Sequence, residues 1–261
     1  MKKVFFLILL LVYGTIFSEE NTRTEYVLEP QIDIPMTIVA GAVALFGSYR
    51  LNEMDLHPNK FNKSDLFVWD RPFAGFWNPT AASWSNGLTF LGITPIAIGA
   101  VSYFKNDIKG SELAALSLMF VQSMAIQSGL NLMARSSQLW PRPFILGEKG
   151  GEDRLKGEAY GSFYSGHASA AFSVAVFTSF WFQKTYSSSK YIPYIWGTSL
   201  SLAATVSILR VVAGKHYPTD VLVGAFMGGL VSISVLKIHE YKSPSLSIQV
   251  GPNYVGVTRH F

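Results

Sequence analysis

Six long stretches without a charged residue constrain this chain more than any other feature of its sequence. They cover residues 35–49, 86–104, 113–134, 168–183, 191–209 and 221–236. A helix needs about 20 mostly apolar residues to cross a bilayer, so the second, third and fifth stretches suffice alone and the others need flanking polar positions. Small residues recur within them, which lets helices approach closely in lipid. The sequence therefore predicts an all-α fold, a polytopic membrane bundle of about six helices.

Composition supports this class and excludes others. The 261 residues are 49% hydrophobic and only 15% charged, too charge-poor for an ordinary soluble domain. The net charge of +4 is spread over short loops, as topogenic charge is, so we expect no nucleic-acid partner. The absence of cysteine excludes disulfides and Cys-ligated zinc.

The two ends of the chain differ from its middle. Residues 1–18 combine two lysines, an apolar stretch and small residues, which is typical of a signal peptide or an N-terminal anchor. We expect a polar segment over 19–34, the membrane domain over 35–237 and a tail over 238–261. Residues alternate on both sides of 251–253 in the tail, which predicts a short β-hairpin.

The first of three polar clusters follows the third apolar stretch. Arg135 lies at its end, and Arg142-Pro143 comes seven residues later. A charged residue beside a span needs a partner or an aqueous pocket, and guanidinium groups match phosphate oxygens. Interfacial snorkelling would explain either arginine alone.

The second cluster is Ser165-Gly166-His167, directly before the fourth stretch. Helix N-termini bind anions, and Gly166 lets a ligand approach the backbone. His167 is then placed to protonate a leaving oxygen. Taken alone, the tripeptide is more often a helix cap followed by a loop histidine.

The third cluster comprises Arg210, His216 and Asp220. Pro218 suits the first turn of a helix, which places His216 and Asp220 on one face. A carboxylate bonded to one imidazole nitrogen leaves the other free as a nucleophile, and Arg210 adds a phosphate clamp. In isolation, the pair would also suit an ordinary ion pair at a helix start.

If the spans alternate, all three clusters meet at one membrane surface. In this order they resemble the type 2 phosphatidic acid phosphatase (PAP2) superfamily, whose pattern is Lys-x6-Arg-Pro, Pro-Ser-Gly-His and Ser-Arg-x5-His-x3-Asp. The motifs cover 135–220, and the helix count extends the resemblance to most of the chain. Arg135 replaces Lys, Tyr164 replaces Pro and Leu209 replaces Ser. These departures bear on substrate choice more than on chemistry.

The resemblance implies phosphoryl transfer through a phosphohistidine, without metal or cofactor. His216, oriented by Asp220, would attack phosphorus, while His167 would protonate the leaving oxygen and later activate water. The phosphate oxygens would be held by a further set of groups, namely Arg135, Arg142, Arg210, Ser165 and the Gly166 amide.

A site at the membrane surface favours a lipid phosphate or diphosphate as substrate. The sequence does not choose among four candidates, namely lipid A phosphate, polyprenyl diphosphate, phosphatidylglycerophosphate and phosphatidate. We expect loops 50–85 and 147–161 to select among these lipids. The sequence does not indicate an oligomeric state. The alternatives are a lipid-to-lipid phosphotransferase, a non-catalytic anionic-lipid-binding protein or transporter, and a vanadate-dependent haloperoxidase.

Sidedness rests on two signals that conflict. Lysines concentrate in loops opposite the clusters, and the positive-inside rule puts those loops in the cytoplasm. A cleaved signal followed by six complete spans would instead bring the clusters inside. Treating 35–49 as re-entrant or interfacial removes the conflict. We therefore expect a bacterial inner-membrane protein whose site faces the periplasm. The lysines are Lys105, Lys109, Lys184, Lys190, Lys237 and Lys242.

Overall fold

The computed structural model describes Thr24 and residues 26–53, 61–240, 245–251 and 254–260. The predicted signal or anchor over 1–18 lies outside them. The described helices are α1 (Pro30–Asn52), α2 (Pro79–Gly87), α3 (Thr94–Phe104), α4 (Gly110–Ser136), α5 (Gly166–Thr185), α6 (Ile192–Val212) and α7 (Pro218–Ile238). The described strands are β1 (Ser245–Gly251) and β2 (Tyr254–His260).

The helices form the predicted membrane bundle. Five helical segments in the described residues are long and apolar enough to cross a membrane, namely α1, residues 79–104, α4, α6 and α7. The sixth, α5, is more polar and packs between α4, α6 and α7. Two of its hydroxyls bond to neighbouring helices, in the 2.7 Å contacts of Ser173 with Ser232 and of Ser179 with Ser199. Because these two polar groups are satisfied inside the bundle, they allow α5 to lie within the membrane.

Two glycines on α7 set its distance from α5. A Cβ at Gly228 would lie 2.0 Å from the carbonyl oxygen of Ser169, and one at Gly224 would lie 2.6 Å from that of Ser165. Only a residue without a side chain permits this approach. The contact brings the start of α7 against the start of α5, where the second and third clusters lie.

The second span begins earlier than the sequence predicts. Its helix begins at Pro79 rather than at residue 86, because the Asn78 side chain caps it by accepting the Ala81 N–H at 3.1 Å. A 3₁₀ segment, Leu88–Ile93, then joins α2 to α3. The connection predicted over 50–85 therefore ends at Asn78, and Asn86 lies inside the helical segment.

The first helix is longer than the apolar stretch that predicts it. It has 23 residues and is about 34 Å long, so it is long and apolar enough to cross a membrane, and its interpretation as a re-entrant or interfacial segment stays a prediction. Asp33, near its start, bonds through Oδ1 to Nε2 of His239 at 2.8 Å, just past the end of α7. Residues 26–53 thus begin on the face opposite the start of α7.

The predicted tail hairpin is confirmed. β1 and β2 pair antiparallel, with Ser245 opposite His260 and Gly251 opposite Tyr254. The two residues between the strands lie outside the described residues.

Candidate active site

The three clusters converge on one cavity of about 440 Å³. The ends of α4 and α6 and the starts of α5 and α7 meet there, as alternating spans require. The α2 helix closes one side, and the loop over 147–161, called the 147–161 loop below, closes another. Motif residues that line the cavity are Arg135, Arg142, Gly166, His167, Arg210 and His216.

His216 is held with one ring nitrogen committed to the backbone. Its Nδ1 lies 2.9 Å from the carbonyl oxygen of Ser162, and a carbonyl oxygen only accepts. Nδ1 therefore carries the proton, and Nε2 of the neutral ring keeps a free lone pair. Burial, and then the positive charges of Arg210 and Arg142, hold the pKa of His216 well below 6.5. The ring is thus neutral near pH 7 and keeps a lone pair on Nε2, which is the state that the predicted nucleophile requires.

Asp220 lies behind this histidine and is fully buried. Its Oδ2 accepts from the Ser162 hydroxyl at 2.6 Å and from the Tyr217 N–H at 2.9 Å, and Oδ1 accepts from Trp140 Nε1 at 3.1 Å. The distance from Oδ2 to His216 Nδ1 is 3.5 Å. The Ser162 carbonyl is therefore the closer partner of the ring, and Asp220 acts mainly by its charge.

His167 shares a partner with Arg210. The Asn86 oxygen Oδ1 lies 3.2 Å from Arg210 Nη1 and 3.0 Å from His167 Nε2. An arginine only donates, so the atom facing it is the amide oxygen, and the His167 nitrogen facing that oxygen must carry a proton. Asn86 thus presents His167 with Nε2 protonated, as a proton donor requires. Ser85 Oγ supports Arg210 from the same helix at 3.1 Å.

A loop carboxylate lies on the first two arginines. Glu158 Oε2 is 2.9 Å from Arg135 Nη2 and 3.5 Å from Arg142 Nη2. Burial lowers the pKa of Arg142 to about 10, with a further contribution from Arg135, so Arg142 stays charged at neutral pH. Burial raises the pKa of Glu158, but the two arginines outweigh it and the net shift is downward. Glu158 is therefore an anion held by the arginines assigned to phosphate.

The arginines retain unused donors. Among the described residues, Nε of Arg142 and Nε of Arg210 are buried without a hydrogen-bond partner. An unsatisfied buried donor costs about 1–3 kcal/mol, more when it belongs to a charged group. Because both side chains line the cavity, an oxyanion bound there would relieve this cost.

Ser165 and Gly166 form the N-terminus of α5. The Ser165 hydroxyl caps the helix by accepting the Ala168 N–H at 3.3 Å, and Ser165 is not among the residues lining the cavity. Gly166 does line it, and a Cβ there would lie 2.6 Å from Oδ1 of Asn131. The cap orients the amides of the first turn, and Gly166 keeps the backbone accessible from the cavity.

A second cavity, largely apolar and of about 240 Å³, adjoins the first. The two share His167, and the apolar cavity continues along α5 to Thr178, a distance of about 16 Å at the rise of an α-helix. Leu91, Ala171 and Leu202 are among its lining residues. A polar, cationic chamber therefore opens beside an apolar slot between the helices.

Sequence reasoning missed four residues that bond the motif side chains. They are Ser85, Asn86, Ser162 and Trp140, and each bonds a motif residue that is between 54 and 125 positions away along the chain. The nearest sequence signal was the position of Ser162 just before the second cluster. Asn86 and Trp140 carried none, since their partners are set only by helix packing.

Comparison with known proteins identifies one family. The model of the PAP2 superfamily matches residues 114–244. No curated protein matches the chain. One matching solved structure is the "first transmembrane PAP2 type phosphatidylglycerolphosphate phosphatase from Bacillus subtilis", which is 21% identical. The match has a TM-score of 0.48 and covers 79% of this chain and 94% of that chain.

Proposed function

Because the chain belongs to the PAP2 superfamily, we propose that it is a membrane phosphatase that removes phosphate from a lipid headgroup. One observation carries the lipid assignment, namely the meeting of the two cavities at His167. The cationic chamber suits a phosphate, and the slot along α5 suits a hydrocarbon chain. A soluble phosphate ester would leave the apolar slot unfilled.

The reaction proceeds in two displacements. Nε2 of His216 attacks phosphorus as the bond to the leaving oxygen breaks, and His167, as an imidazolium, gives its Nε2 proton to that oxygen and becomes neutral. His167 then takes a proton from water, whose oxygen attacks phosphorus and breaks the phosphorus–nitrogen bond. Phosphate leaves, and both histidines return to their starting states.

The surrounding charges stabilise the transition state. Arg135, Arg142 and Arg210 line the chamber and bind the equatorial oxygens, joined by the Gly166 amide at the start of α5. Ser165 contributes by capping that helix. The carboxylate of Asp220 stabilises the positive charge that develops on His216. These groups complete the reaction without a metal ion or cofactor.

The test is phosphate release by detergent-purified protein in EDTA. The panel contains lipid A, undecaprenyl diphosphate, phosphatidylglycerophosphate, phosphatidate and a water-soluble phosphate ester. We expect release from at least one lipid and none in His216→Ala. Ala171→Phe, which fills the apolar slot, should lower kcat/KM for that lipid but not for the soluble ester. Leu230→Phe, at an exposed α7 position outside both cavities, is its control.

Three results would contradict the proposal. Phosphate release that persists in His216→Ala would show that His216 is not the nucleophile. Phosphate release that EDTA abolishes would show that the reaction requires a metal ion. Release only upon addition of an acceptor lipid would identify a phosphotransferase instead.

We further propose that the protein lies in a bacterial inner membrane with the site facing the periplasm. Lysines on the opposite face support this through the positive-inside rule. If α1 spans the membrane, as its length and composition allow, residues 26–29 then lie in the cytoplasm. The supporting residues are Lys105, Lys109, Lys184, Lys190 and Lys237.

The natural chain has no cysteine, so sidedness can be tested with single introduced thiols. Leu155→Cys lies in the 147–161 loop, and Ser188→Cys lies on the opposite face; both positions are exposed. An impermeant maleimide should label only Leu155→Cys in cells whose outer membrane has been permeabilised. Labelling of Ser188→Cys instead would place the site in the cytoplasm.

A further inference from the structure

A lysine with no assigned role lies beside the nucleophile. Lys215 directly precedes His216, is only 9% exposed and lines the same cationic cavity. Its Nζ lies 4.5 Å from the ring centroid of Trp77 and 4.9 Å from that of Phe144. Burying an ammonium group is costly, and an apolar side chain would fit between two aromatic rings at less cost. The charge therefore calls for an explanation beyond packing.

The 147–161 loop places two carboxylates on the cations of the cavity. Glu158 pairs with Arg135 and Arg142, while Oδ2 of Asp153 lies 2.7 Å from Nζ of Lys215. Hydrogen bonds from Lys156 and then Lys215 lower the pKa of Asp153 to about 2, so this carboxylate is charged. Each carboxylate lies at a position where the protein stabilises an anion. One position is beside Arg135 and Arg142, and the other is beside Lys215.

The charges of the cavity exceed what one phosphate requires. Four cationic side chains line it, against two carboxylates from the loop. The three arginines suffice for the phosphoryl group under attack, and Lys215 has a carboxylate partner of its own, Asp153. A ligand that displaces both carboxylates and places one phosphate at the arginines would leave the charge of Lys215 to pair with a second anionic group.

We propose that Lys215 binds a second anionic phosphorus group of the substrate, next to the phosphate that is cleaved. This inference rests on the proposed function and narrows it. Favoured substrates are lipids in which a terminal phosphate follows another phosphate, either directly as in a diphosphate or through a short polyol as in phosphatidylglycerophosphate. Single phosphate monoesters such as phosphatidate use the arginines alone.

The test compares kinetic constants for undecaprenyl diphosphate, phosphatidylglycerophosphate and phosphatidate in wild type and variants. Lys215→Met keeps the apolar stem between the rings and removes the charge. We expect kcat/KM to fall about tenfold, or ~1.4 kcal/mol, for a substrate with two phosphorus groups and less than twofold for phosphatidate. Lys215→Arg should retain the preference. The loss measured with undecaprenyl diphosphate and the loss measured with phosphatidylglycerophosphate are then compared. The comparison shows whether Lys215 binds the second phosphorus group of a direct diphosphate or that of a polyol-linked pair.

Lys156→Met is the matched control. Lys156 also pairs with Asp153, at 2.8 Å, but its side chain is 58% exposed and does not line the cavity. This variant should leave kcat/KM unchanged for all three lipids. Asp153→Asn is a second variant, which frees Lys215 and should lower KM for the two-phosphorus substrates only.

Two outcomes would overturn the inference while leaving the proposed function intact. An equal loss on all lipids in Lys215→Met would show that the lysine only anchors the loop, and no loss on any lipid would show that it does not reach the substrate. Inactivity of the wild type toward every lipid would instead refute the proposed function, and this inference with it. Calorimetry with inorganic diphosphate and inorganic phosphate adds a readout independent of turnover, since Lys215→Met should weaken only diphosphate.

Discussion

Replacement of Asp220 by Asn tests how the nucleophile is supported. The carboxylate lies 3.5 Å from Nδ1 of His216, and two unit charges at that distance attract by about 5 kcal/mol at an effective dielectric constant of about 20. This attraction exists only once His216 becomes positive in the transition state. Ser162 and Tyr217 also donate hydrogen bonds to the carboxylate and share its charge. We therefore expect Asp220→Asn to lose somewhat less than this attraction, ~3–4 kcal/mol of transition-state stabilisation.

That loss corresponds to a decrease in kcat of about 10²–10³-fold. Activity should not vanish, because the Ser162 carbonyl still holds the Nδ1 proton at 2.9 Å and preserves the reactive tautomer. The assay is initial phosphate release at saturating lipid in detergent. Size-exclusion elution and circular dichroism check that the variant is folded.

Ser162→Ala is the matched comparison. It removes the hydroxyl that bonds Asp220 but keeps the carbonyl that bonds His216, so kcat should fall only about tenfold, as expected for one hydrogen bond to a charged group. The reasoning fails if folded Asp220→Asn keeps activity within threefold of wild type. It also fails if that variant is as inactive as His216→Ala.

Three further predictions concern other parts of the site. Glu158→Gln should lower KM about twofold to fivefold, the scale of a partly exposed ion pair, because substrate no longer displaces a carboxylate; Glu152→Gln, exposed on the same loop, should not. Asn86→Ala should lower kcat/KM about 10–100-fold by releasing both of its partners, and a change within twofold would contradict its role. NMR of histidine-labelled protein should show the His216 ring neutral until well below pH 6.5, because burial and the arginines oppose its protonation; a titration at or above 6.5 would contradict this.

The sequence predicted the bundle because apolar stretches and glycine-rich contacts are local signals. It also predicted which motif residues meet, since alternating spans bring the ends of α4 and α6 to the starts of α5 and α7. Arg135, Arg142, His167, Arg210 and His216 all line one cavity. Antiparallel connectivity places these residues on one membrane face, and the packing of α5 against α4, α6 and α7 brings them to one cavity.

The missed features depend on tertiary contacts or on local capping. The role of Asn86 arises only when α2 packs beside α5 and α6, and an asparagine at the start of an apolar run is also typical of a cap. The early start of the second span followed from the Asn78 cap, which outweighed the polar composition of the first turns. The length of α1 was underestimated because Asp33, a charged residue, pairs inside the protein with His239.

The most direct test of the account is to trap the covalent intermediate. Purified protein is mixed briefly with lipid labelled in its terminal phosphate, quenched in base and mapped by mass spectrometry. The account predicts an acid-labile, base-stable phosphoryl group on His216 in the wild type and none in His216→Ala. A phosphoryl group on another residue, or full turnover without any label on His216 in rapid-quench experiments, would contradict it.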